Sequence, residues 1–459
     1  MKLSAANLGA LRAGIAQPRY DRNARGIGIV HFGIGAFHRA HMAVYTDDAM
    51  NAGEDDWGIT GVSLRSASVA DQMNPQDGFY TVTERSARGS KVRLIGAVQQ
   101  VITAHQAPEA AVAAIASPNT HIISFTITEK GYCRAADGSL DLALSDPVSI
   151  FASLTSGFRR RLESGLPGLT LLSCDNLASN GAQLERLMLE YLTQKAPDLM
   201  GWFTANCTCP STMVDRIVPA TTDADRLEIE ALLGMRDEAA VITEPFSQWV
   251  IEDKFAGPRP AWEKYGAQIT GNVHAYETAK LRMLNGAHSA LAYLGLGRGH
   301  EFVHQAIADP ELAPLIDRLM REEAATSLTP APGQNLSAYA DALIERFKNP
   351  ALNHRLVQIA MDGSQKIPQR WLETLAHHQA AGTQCPAILT ALGAWLCHIR
   401  GDNSVHWGPV DDPMAHALNA QWERAGKKGI VAAVFGAGGP MASGWMPSDA
   451  DLELIDAAL

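Results

Sequence analysis

The feature that most limits the fold of this chain is a short apolar strand that runs directly into a glycine turn and then into a helix. The strand is predicted at residues 28–32, the turn is Gly33-Ile34-Gly35, and the helix covers residues 36–50. Glycines in such a turn let the backbone approach a pyrophosphate, which then lies against the amino end of the helix. The segment therefore predicts a βα unit that binds a dinucleotide.

The dinucleotide fingerprint of this segment is incomplete. The position of its third glycine holds His38, so only G-x-G is present. The acid that usually follows the second strand and binds the adenosine ribose of NAD is also missing, because Arg65-Ser66-Ala67-Ser68 follows the strand predicted at 57–64. Arg65 and the serines are compatible with the 2′-phosphate of NADP, and Arg65 is equally compatible with stacking on adenine or facing solvent. We expect NAD, with NADP not excluded.

Strands and helices alternate through the first half of the chain, and helices dominate the second half. The first pattern is typical of a mainly parallel sheet covered on both faces. We therefore predict an α/β protein with a Rossmann-type dinucleotide-binding domain at residues 1–270 and a mostly α-helical substrate and catalytic domain at 271–459. The further predicted elements are an antiparallel insertion (79–84 and 91–101), strands at 121–128 and 169–174, and helices at 109–116, 147–164, 275–294, 312–325, 337–347 and 386–399.

The composition excludes several classes of partner. A chain of 459 residues with 19% charged residues and a formal net charge of −11 has no general attraction for nucleic acid or anionic membranes. No apolar run reaches the roughly 18–20 residues of a membrane helix, and the amino terminus lacks a secretory pattern, so we expect a cytoplasmic protein. The 6 cysteines are scattered, as in a reducing compartment, and their spacing does not predict a metal site.

The segment Lys280-Leu-Arg-Met-Leu-Asn285-Gly-Ala-His288 carries the clearest chemical signal. On a regular helix, Asn285 lies about 140° and His288 about 80° round from Lys280, so all three share one side. A lysine whose pKa falls from about 10.4 toward neutrality can accept the proton of a secondary alcohol, while an amide stabilises the developing alkoxide. The spacing alone is also compatible with an ordinary amphipathic helix whose lysine is solvated.

Several longer phrases in the chain fit together with this segment. They resemble the long-chain mannitol dehydrogenase family over nearly the full length, and the family has a Rossmann-type amino domain, a helical carboxyl domain, and a nicotinamide cofactor that meets the substrate between them. The phrases are Gly33-Ile-Gly-Ala-Phe-His-Arg-Ala-His41, Thr126-Ile-Thr-Glu-Lys-Gly-Tyr132, Ser173-Cys-Asp-Asn176, Met213-Val-Asp-Arg-Ile217, Glu244-Pro-Phe, Gln248-Trp-Val-Ile-Glu-Asp-Lys254 and the Lys280 segment.

The resemblance implies a role for individual residues. Lys280 matches the general base, Asn285 and Asn176 match the amides that hold the reacting oxygen, and Glu277 matches an acid that relays the proton to water. His288, Asp215 and Lys366 match substrate-binding positions. The cofactor-binding residues that the resemblance implies are Gly33, Ile34, Gly35, Phe37, Arg65 and Thr128. Asn176 as a turn residue, Asp215 as a partner of Arg216, Glu277 as a surface charge and Lys366 as a solvated loop lysine remain open alternatives.

The substrate is less well defined by the sequence. Residues 358–370 look more like the branch of the family that acts on mannonate and fructuronate, because the mannitol branch often carries arginine where this chain has Gln358. Arg370 and Lys366 can then neutralise a uronate carboxylate. Much of the amino domain looks equally like the mannitol branch, so oxidation of mannitol to fructose is the alternative. A non-catalytic nucleotide sensor is a second alternative, although it does not need Lys280 and Asn285. We expect a monomer or a small homo-oligomer acting on a sugar alcohol or sugar acid.

Overall fold

The computed structural model describes residues 1–24, 26–135, 137–145 and 149–459. The chain divides into two compact units, Met1–Val273 and His274–Leu459. The first unit mixes strands and helices, and the described part of the second unit is helical. The prediction of an α/β amino-terminal region followed by a helical carboxyl-terminal region is confirmed.

The first unit is built on a five-stranded parallel sheet with the order β5-β2-β1-β6-β7. Two three-stranded sheets, β11-β10-β8 and β4-β3-β9, are also present in this unit. In chain order, the five parallel strands follow the 3-2-1-4-5 arrangement of a dinucleotide-binding sheet. The strands are β1 Ile27–Phe32, β2 Gly58–Ser63, β3 Tyr80–Ser86, β4 Gly89–Ile95, β5 Val98–Thr103, β6 Ile122–Phe125, β7 Thr170–Ser173, β8 Thr212–Asp215, β9 Val241–Thr243, β10 Gln248–Glu252 and β11 Gln268–Thr270.

Helices cover both faces of this sheet. Consecutive residues of β1, β6 and β7 are therefore buried, whichever face they point to. The predicted start of one helix, Pro147, lies outside the described residues, and that helix begins at Ile150. The predicted helix at 36–50 is broken at His41, where φ is −122° and ψ is −93°. The helices of this unit are α1 Ala36–Ala40, α2 Met42–Asn51, α3 Ser68–Met73, α4 Pro108–Ala116, α5 Thr128–Gly131, α6 Ile150–Glu163, α7 Asn180–Lys195, α8 Met200–Asn206 and α9 Asp223–Leu233.

The strand predicted at 91–101 is wrong as a single element. The chain ends β4 at Ile95, turns at Gly96 and Ala97, and begins β5 at Val98. β4 pairs antiparallel with β3, as predicted, whereas β5 joins the edge of the parallel sheet beside β2. The turn is close-packed, since a Cβ on Gly96 would lie 2.8 Å from Pro18 Cγ. The apolar run continues through the turn, so periodicity does not reveal the change of sheet.

The second unit packs around a central helix, α11, in which ten residues are buried. Small residues allow this burial, since a Cβ on Gly295 would lie 2.7 Å from Leu356 Cδ1. The α-helices of this unit are α10 Val273–Ala279, α11 Gly286–Gly297, α12 Val303–Ala308, α13 Leu312–Arg318, α14 Leu336–Phe347, α15 Leu356–Ala360, α16 Gly363–Ile367, α17 Glu373–Ala380, α18 Pro386–Arg400, α19 Ser404–Trp407, α20 Ala415–Phe435 and α21 Asp449–Ala458.

Three segments of this unit are π-helical: Lys280–Asn285, Leu319–Ala324 and Pro368–Leu372. The first joins α10 to α11, and we call it the Lys280 turn. The regular α-helix predicted at 275–294 is therefore wrong in its middle. In a π-helix, hydrogen bonds join residues five apart, so Lys280 and Asn285 lie about one turn apart on nearly the same face.

Candidate functional site

A cavity of about 400 Å³ lies at the carboxyl ends of the parallel strands in the first unit. β1 and β6 are neighbours in the sheet, and the strand order reverses at this pair, which is where sheets of this type bind ligands. The segments after β1, β2 and β6 line the cavity. The lining residues are Gly33, Ile34, Gly35, Ser63, Leu64, Arg65, Ser66, Val69, Thr126, Ile127, Thr128, Lys130, Gly131, Cys133 and Ser149.

The glycine turn adopts a conformation that its sequence requires. Gly33 has a φ of +88°, and a Cβ there would lie 2.1 Å from the carbonyl oxygen of Thr126. A Cβ on Gly35 would approach only the carbonyl oxygen of Gly33, at 3.8 Å, so the space beside Gly35 is open. The turn therefore needs glycine at position 33 for its own shape and presents bare backbone at position 35, as the approach of a pyrophosphate requires.

Two buried histidines lie beneath this turn. His31 on β1 shares hydrogen bonds with Ser124 Oγ, at 2.7 Å from Nδ1, and with Thr126 Oγ1, at 2.9 Å from Nε2. Burial lowers the pKa of His31 to about 3. The ring of His38 stacks on His31 with centroids 3.4 Å apart, and it fills the position of the missing third glycine. The histidine pair packs under the cavity rather than lining it.

Asp175 was missed by the sequence reasoning, although it lies in the quoted phrase Ser173–Asn176. Its carboxylate accepts hydrogen bonds from the backbone amides of Ile127, at 3.0 Å, and Thr128, at 2.8 Å, and from the hydroxyl of Tyr132, at 2.8 Å. These bonds hold the loop after β6, where Thr128 has a φ of +62°. Burial raises the pKa of Asp175, and the bonds from the two amides and the hydroxyl oppose the rise. The sequence signal that could have identified Asp175 was its position just after a parallel strand, where ligand sites in such sheets lie.

The other predicted residues of this unit occupy different surroundings. Gly33, Ile34, Gly35, Arg65 and Thr128 line the cavity. Phe37 does not line it and instead stacks on His41, with ring centroids 5.0 Å apart. Asn176 is exposed after β7, and Asp215 is buried at the end of β8. The adjacent Arg216 forms an ion pair with Glu84 at 2.7 Å.

The Lys280 turn places the predicted general base within the second unit. Lys280 is 7% exposed, and Met283 and Leu284 on the same turn are also buried. Asn285 is half-buried at the end of the turn. Glu277 lies one helical turn before Lys280, is buried, and lies 3.6 Å from the exposed His274. The turn thus places a largely desolvated amine and an amide on nearly the same face.

His288 lies on α11 in a group of basic and aromatic side chains. Its ring packs on Phe347 and His354, with centroid separations of 4.8 and 5.1 Å. Burial, followed by the charges of His354, Arg346 and Arg370, holds the pKa of His288 well below its ordinary value. Nε2 of His288 is buried and has no hydrogen-bond partner among the described residues. The group is suited to a polar or anionic ligand.

Lys366 and Arg370 are both half-buried in this unit, and each contacts the protein itself. Lys366 Nζ donates to the carbonyl oxygen of Met361 and lies 3.9 Å from Asp362. Burial and the nearby Arg370 lower the pKa of Lys366. Arg370 Nη1 donates to the Asn285 carbonyl oxygen at 3.1 Å and to Ser289 Oγ at 2.7 Å. The structure thus brings Arg370 to the Lys280 turn.

Two other features, a metal-binding group and a membrane span, are absent from the described residues. In the described ranges, no three or more His, Cys, Asp or Glu side chains form a group that could hold a metal ion. In the part of the chain that the structure describes, no helix has the length and apolar character of a membrane span.

Comparison with known proteins gives consistent matches along the chain. The mannitol dehydrogenase Rossmann domain matches residues 27–264, and the mannitol dehydrogenase C-terminal domain matches 272–436. D-mannonate oxidoreductase of Escherichia coli K12 is 39% identical, with 95% of this chain and 93% of the relative covered. Mannitol 2-dehydrogenase of Phaeosphaeria nodorum is 38% identical, with coverage of 92% and 77%. The Pseudomonas fluorescens mannitol 2-dehydrogenase complex with NAD and D-mannitol matches with 34% identity, a TM-score of 0.81, and coverage of 100% and 96%.

Proposed function

The chain belongs to the mannitol dehydrogenase family of oxidoreductases, and from this premise we propose that it interconverts a secondary alcohol and a ketone on an open-chain sugar alcohol or sugar acid. The observation that supports this most directly is the burial of Lys280 on a π-helical turn that also carries Asn285. A buried amine beside an amide suits proton removal from a hydroxyl group better than it suits nucleotide sensing.

In the oxidation direction, Lys280 in its neutral form accepts the hydroxyl proton at Nζ. Asn285 donates a hydrogen bond to the oxygen as negative charge develops, and the resemblance assigns Asn176 the same role. Glu277 relays the proton between Lys280 and solvent, and His288 and Asp215 orient other hydroxyl groups. No metal ion is needed for these steps, because the lysine and the amides supply the acid–base and electrostatic chemistry.

The cofactor assigned to the cavity of the first unit is NAD. The open backbone at Gly35 and the positive φ of Gly33 would hold a pyrophosphate, and a dinucleotide there would supply the hydride-accepting chemistry that oxidation of the alcohol needs. The NAD in the Pseudomonas fluorescens complex supports this choice. NADP is the alternative, since the described lining contains Arg65 and Lys130 but no carboxylate.

The preferred substrate pair is mannonate and fructuronate, with mannitol and fructose as the alternative. Arg346 and Arg370, whose charges act on His288, support an anionic substrate, because a carboxylate beside their guanidinium groups gains charge-assisted hydrogen bonds. The similarity to D-mannonate oxidoreductase points the same way, whereas the similarity to mannitol 2-dehydrogenase supports the alternative.

Substitution of the proposed base tests the mechanism. Lys280→Ala should lower kcat by at least about a thousandfold while the dissociation constant of the dinucleotide stays within about threefold, since the base acts on the alcohol only. Turnover and calorimetric dinucleotide binding of the purified variant measure the two effects. A loss of turnover of less than about tenfold, equivalent to roughly 1.4 kcal/mol, would exclude this role for Lys280.

One set of activity assays identifies both the substrate and the cofactor. The purified protein is offered mannonate, fructuronate, mannitol, fructose and arabinitol, each with NAD or NADP in the oxidation state that the direction requires. We expect the highest kcat/KM for mannonate or fructuronate with NAD(H). A higher kcat/KM for mannitol and fructose would establish the alternative substrate pair, and the absence of turnover with all of them would favour a nucleotide sensor.

A further inference from the structure

The Lys280 turn ends where the helix returns to regular α-helical spacing, between Asn285 and Gly286. The backbone carbonyls of these two residues both accept side-chain hydrogen bonds from another π-helical segment, Pro368–Leu372. Arg370 Nη1 donates to Asn285 O at 3.1 Å, and Trp371 Nε1 donates to Gly286 O at 3.2 Å. We propose that Arg370 and Trp371 are positioning residues that hold the Lys280 turn in its π-helical form.

The two donors act at the point where the helical spacing changes. Regular α-helical spacing would place Asn285 about 140° round from Lys280, on the same broad side of the helix, whereas π-helical spacing brings the two residues to nearly the same angle. Side-chain donors that reach into a backbone ladder stabilise such local departures from regular spacing. Arg370 and Trp371 therefore act on the reaction through the relative placement of the Lys280 amine and the Asn285 amide.

The surroundings of Trp371 make its contact with the helix specific. The indole is fully buried, and its ring packs edge-on against Tyr293 with centroids 6.2 Å apart. A Cβ on Gly286 would lie 3.4 Å from Trp371 Nε1, so the indole N–H reaches the backbone beside a residue that has no side chain. A buried carbonyl that loses this donor has no water to replace it.

Arg370 makes a second hydrogen bond that strengthens its contact with the same helix. Nη1 also donates to Ser289 Oγ at 2.7 Å, so one guanidinium nitrogen contacts the last residue of the Lys280 turn and the first turn of α11. A guanidinium that only neutralised a substrate carboxylate would affect the KM of sugar acids. A guanidinium that positions the Lys280 turn affects kcat for every substrate, charged or neutral.

The first test is Trp371→Phe, compared with Trp395→Phe. Both indoles are fully buried in the core of this unit, but Trp395 Nε1 has no hydrogen-bond partner in the described part of the chain. The two substitutions remove similar volume, and only the first removes a donor to the backbone of Gly286, directly after the Lys280 turn. We expect Trp371→Phe to lower kcat at least about tenfold with KM within about threefold, while Trp395→Phe keeps kcat within about twofold of wild type.

Hydrogen exchange gives a readout that does not depend on catalysis. This inference rests on the proposed function for its kinetic consequence, but the hydrogen bonds can be tested in a protein that shows no turnover. Amides of residues 281–289 should exchange at least about tenfold faster in Trp371→Phe than in Trp395→Phe. Equal exchange in the two variants would overturn the positioning role, whereas faster exchange without any turnover in wild type would overturn only the proposed function.

Arg370→Ala separates positioning from substrate binding. We expect kcat to fall at least about tenfold for a sugar acid and for a neutral polyol alike, and added guanidinium to restore part of it. Arg370→Lys should also keep kcat below wild type, because the lysine amine ends one bond short of the Nη1 position that reaches both acceptors. An unchanged kcat with a raised KM for the sugar acid alone would overturn the positioning role of Arg370.

Discussion

The two candidate sites in this chain are built in different ways. In the first unit, the cavity is formed by the segments that follow strands, and buried side chains such as Asp175 and His31 form hydrogen bonds with the backbone of those segments. In the second unit, the proposed reacting groups are side chains on one helical turn, and Arg370 and Trp371 from another segment form hydrogen bonds with the backbone at the end of that turn. The comparison teaches that the first site depends on loop conformation and the second on helical spacing.

The substitution with the largest expected effect on the cavity of the first unit is Gly33→Ala. A methyl group at a φ of +88°, 2.1 Å from the Thr126 carbonyl oxygen, forces the turn to move, so we expect dinucleotide binding to disappear in calorimetry and the Tm to fall. Gly35→Ala is the matched control for folding. Its Cβ meets only one atom, at 3.8 Å, so the Tm should stay near wild type while dinucleotide affinity falls. Normal dinucleotide binding by Gly33→Ala would show that the first site does not depend on the conformation of this turn.

Asp175→Asn tests the support of the loop after β6. An amide offers one acceptor oxygen where the carboxylate offers two, so a backbone N–H of the loop loses its partner, at a cost of about 1–3 kcal/mol. We expect the KM of the dinucleotide to rise at least about fivefold with a smaller change in kcat. Asp412→Asn is the control, because Asp412 binds the backbone amides of Ser364 and Met414 in the second unit. An equal rise in KM in both variants would refute the local effect.

Acid should weaken both units through their buried histidines. The pKa of His31 falls to about 3 on folding, and that of His288 falls well below its ordinary value. Because the unfolded chain takes up protons first, stability is complete above about pH 6.5 and is lost as the pH falls toward 3, at about 1.4 kcal/mol per pH unit for each such histidine.

Urea unfolding between pH 7 and pH 4.5 measures this dependence. His31→Asn and His288→Asn should each make the free energy of unfolding less sensitive to pH. His274→Asn is the control, since the side chain of His274 is 80% exposed. Identical pH dependence in the His31 variant and the control would show that His31 is not neutral in the folded protein.

The smallest expected effects come from two matched helix caps. Thr222 forms a capping box with Asp225 at the start of α9, and Ser448 forms one with Asp451 at the start of α21. Thr222→Ala and Ser448→Ala should each lower the free energy of unfolding by about 1 kcal/mol with unchanged kcat, since neither cap touches a candidate site. A change in kcat in only one variant would show that this cap is coupled to a candidate site, contrary to the expectation that both caps are independent of the sites.

Most of the first unit could be predicted from the sequence because its signals are local. Apolar runs bounded by polar residues and glycine marked β1, β2 and β7, and the glycine turn marked the cavity. Thr128 was assigned to a strand, but the strand ends at Phe125, because the hydrogen bonds from the loop amides to the distant Asp175 are tertiary. β4 and β5 were predicted as one strand for the same reason. The pairing of β5 with β2 is tertiary, and a continuous apolar run does not indicate it.

The second unit was predictable in class but not in detail. Helical periodicity located the segment that carries Lys280 and indicated that Lys280, Asn285 and His288 share one side. It did not reveal the π-helical spacing, because one additional residue in a turn changes the apolar pattern very little. Trp371 carried no signal as a positioning residue, since a buried tryptophan in an apolar helix is most simply a core residue.

The burial of α11 has a consequence for the lifetime of the site. Ten of its residues are shielded from solvent, and the helix continues directly from Asn285. Amides in such an element are released only when the cooperative unit around them opens, so they belong to the slowest-exchanging class. Proteolysis or brief heating should therefore strip peripheral helices of the second unit before it disturbs the segment that presents the amine.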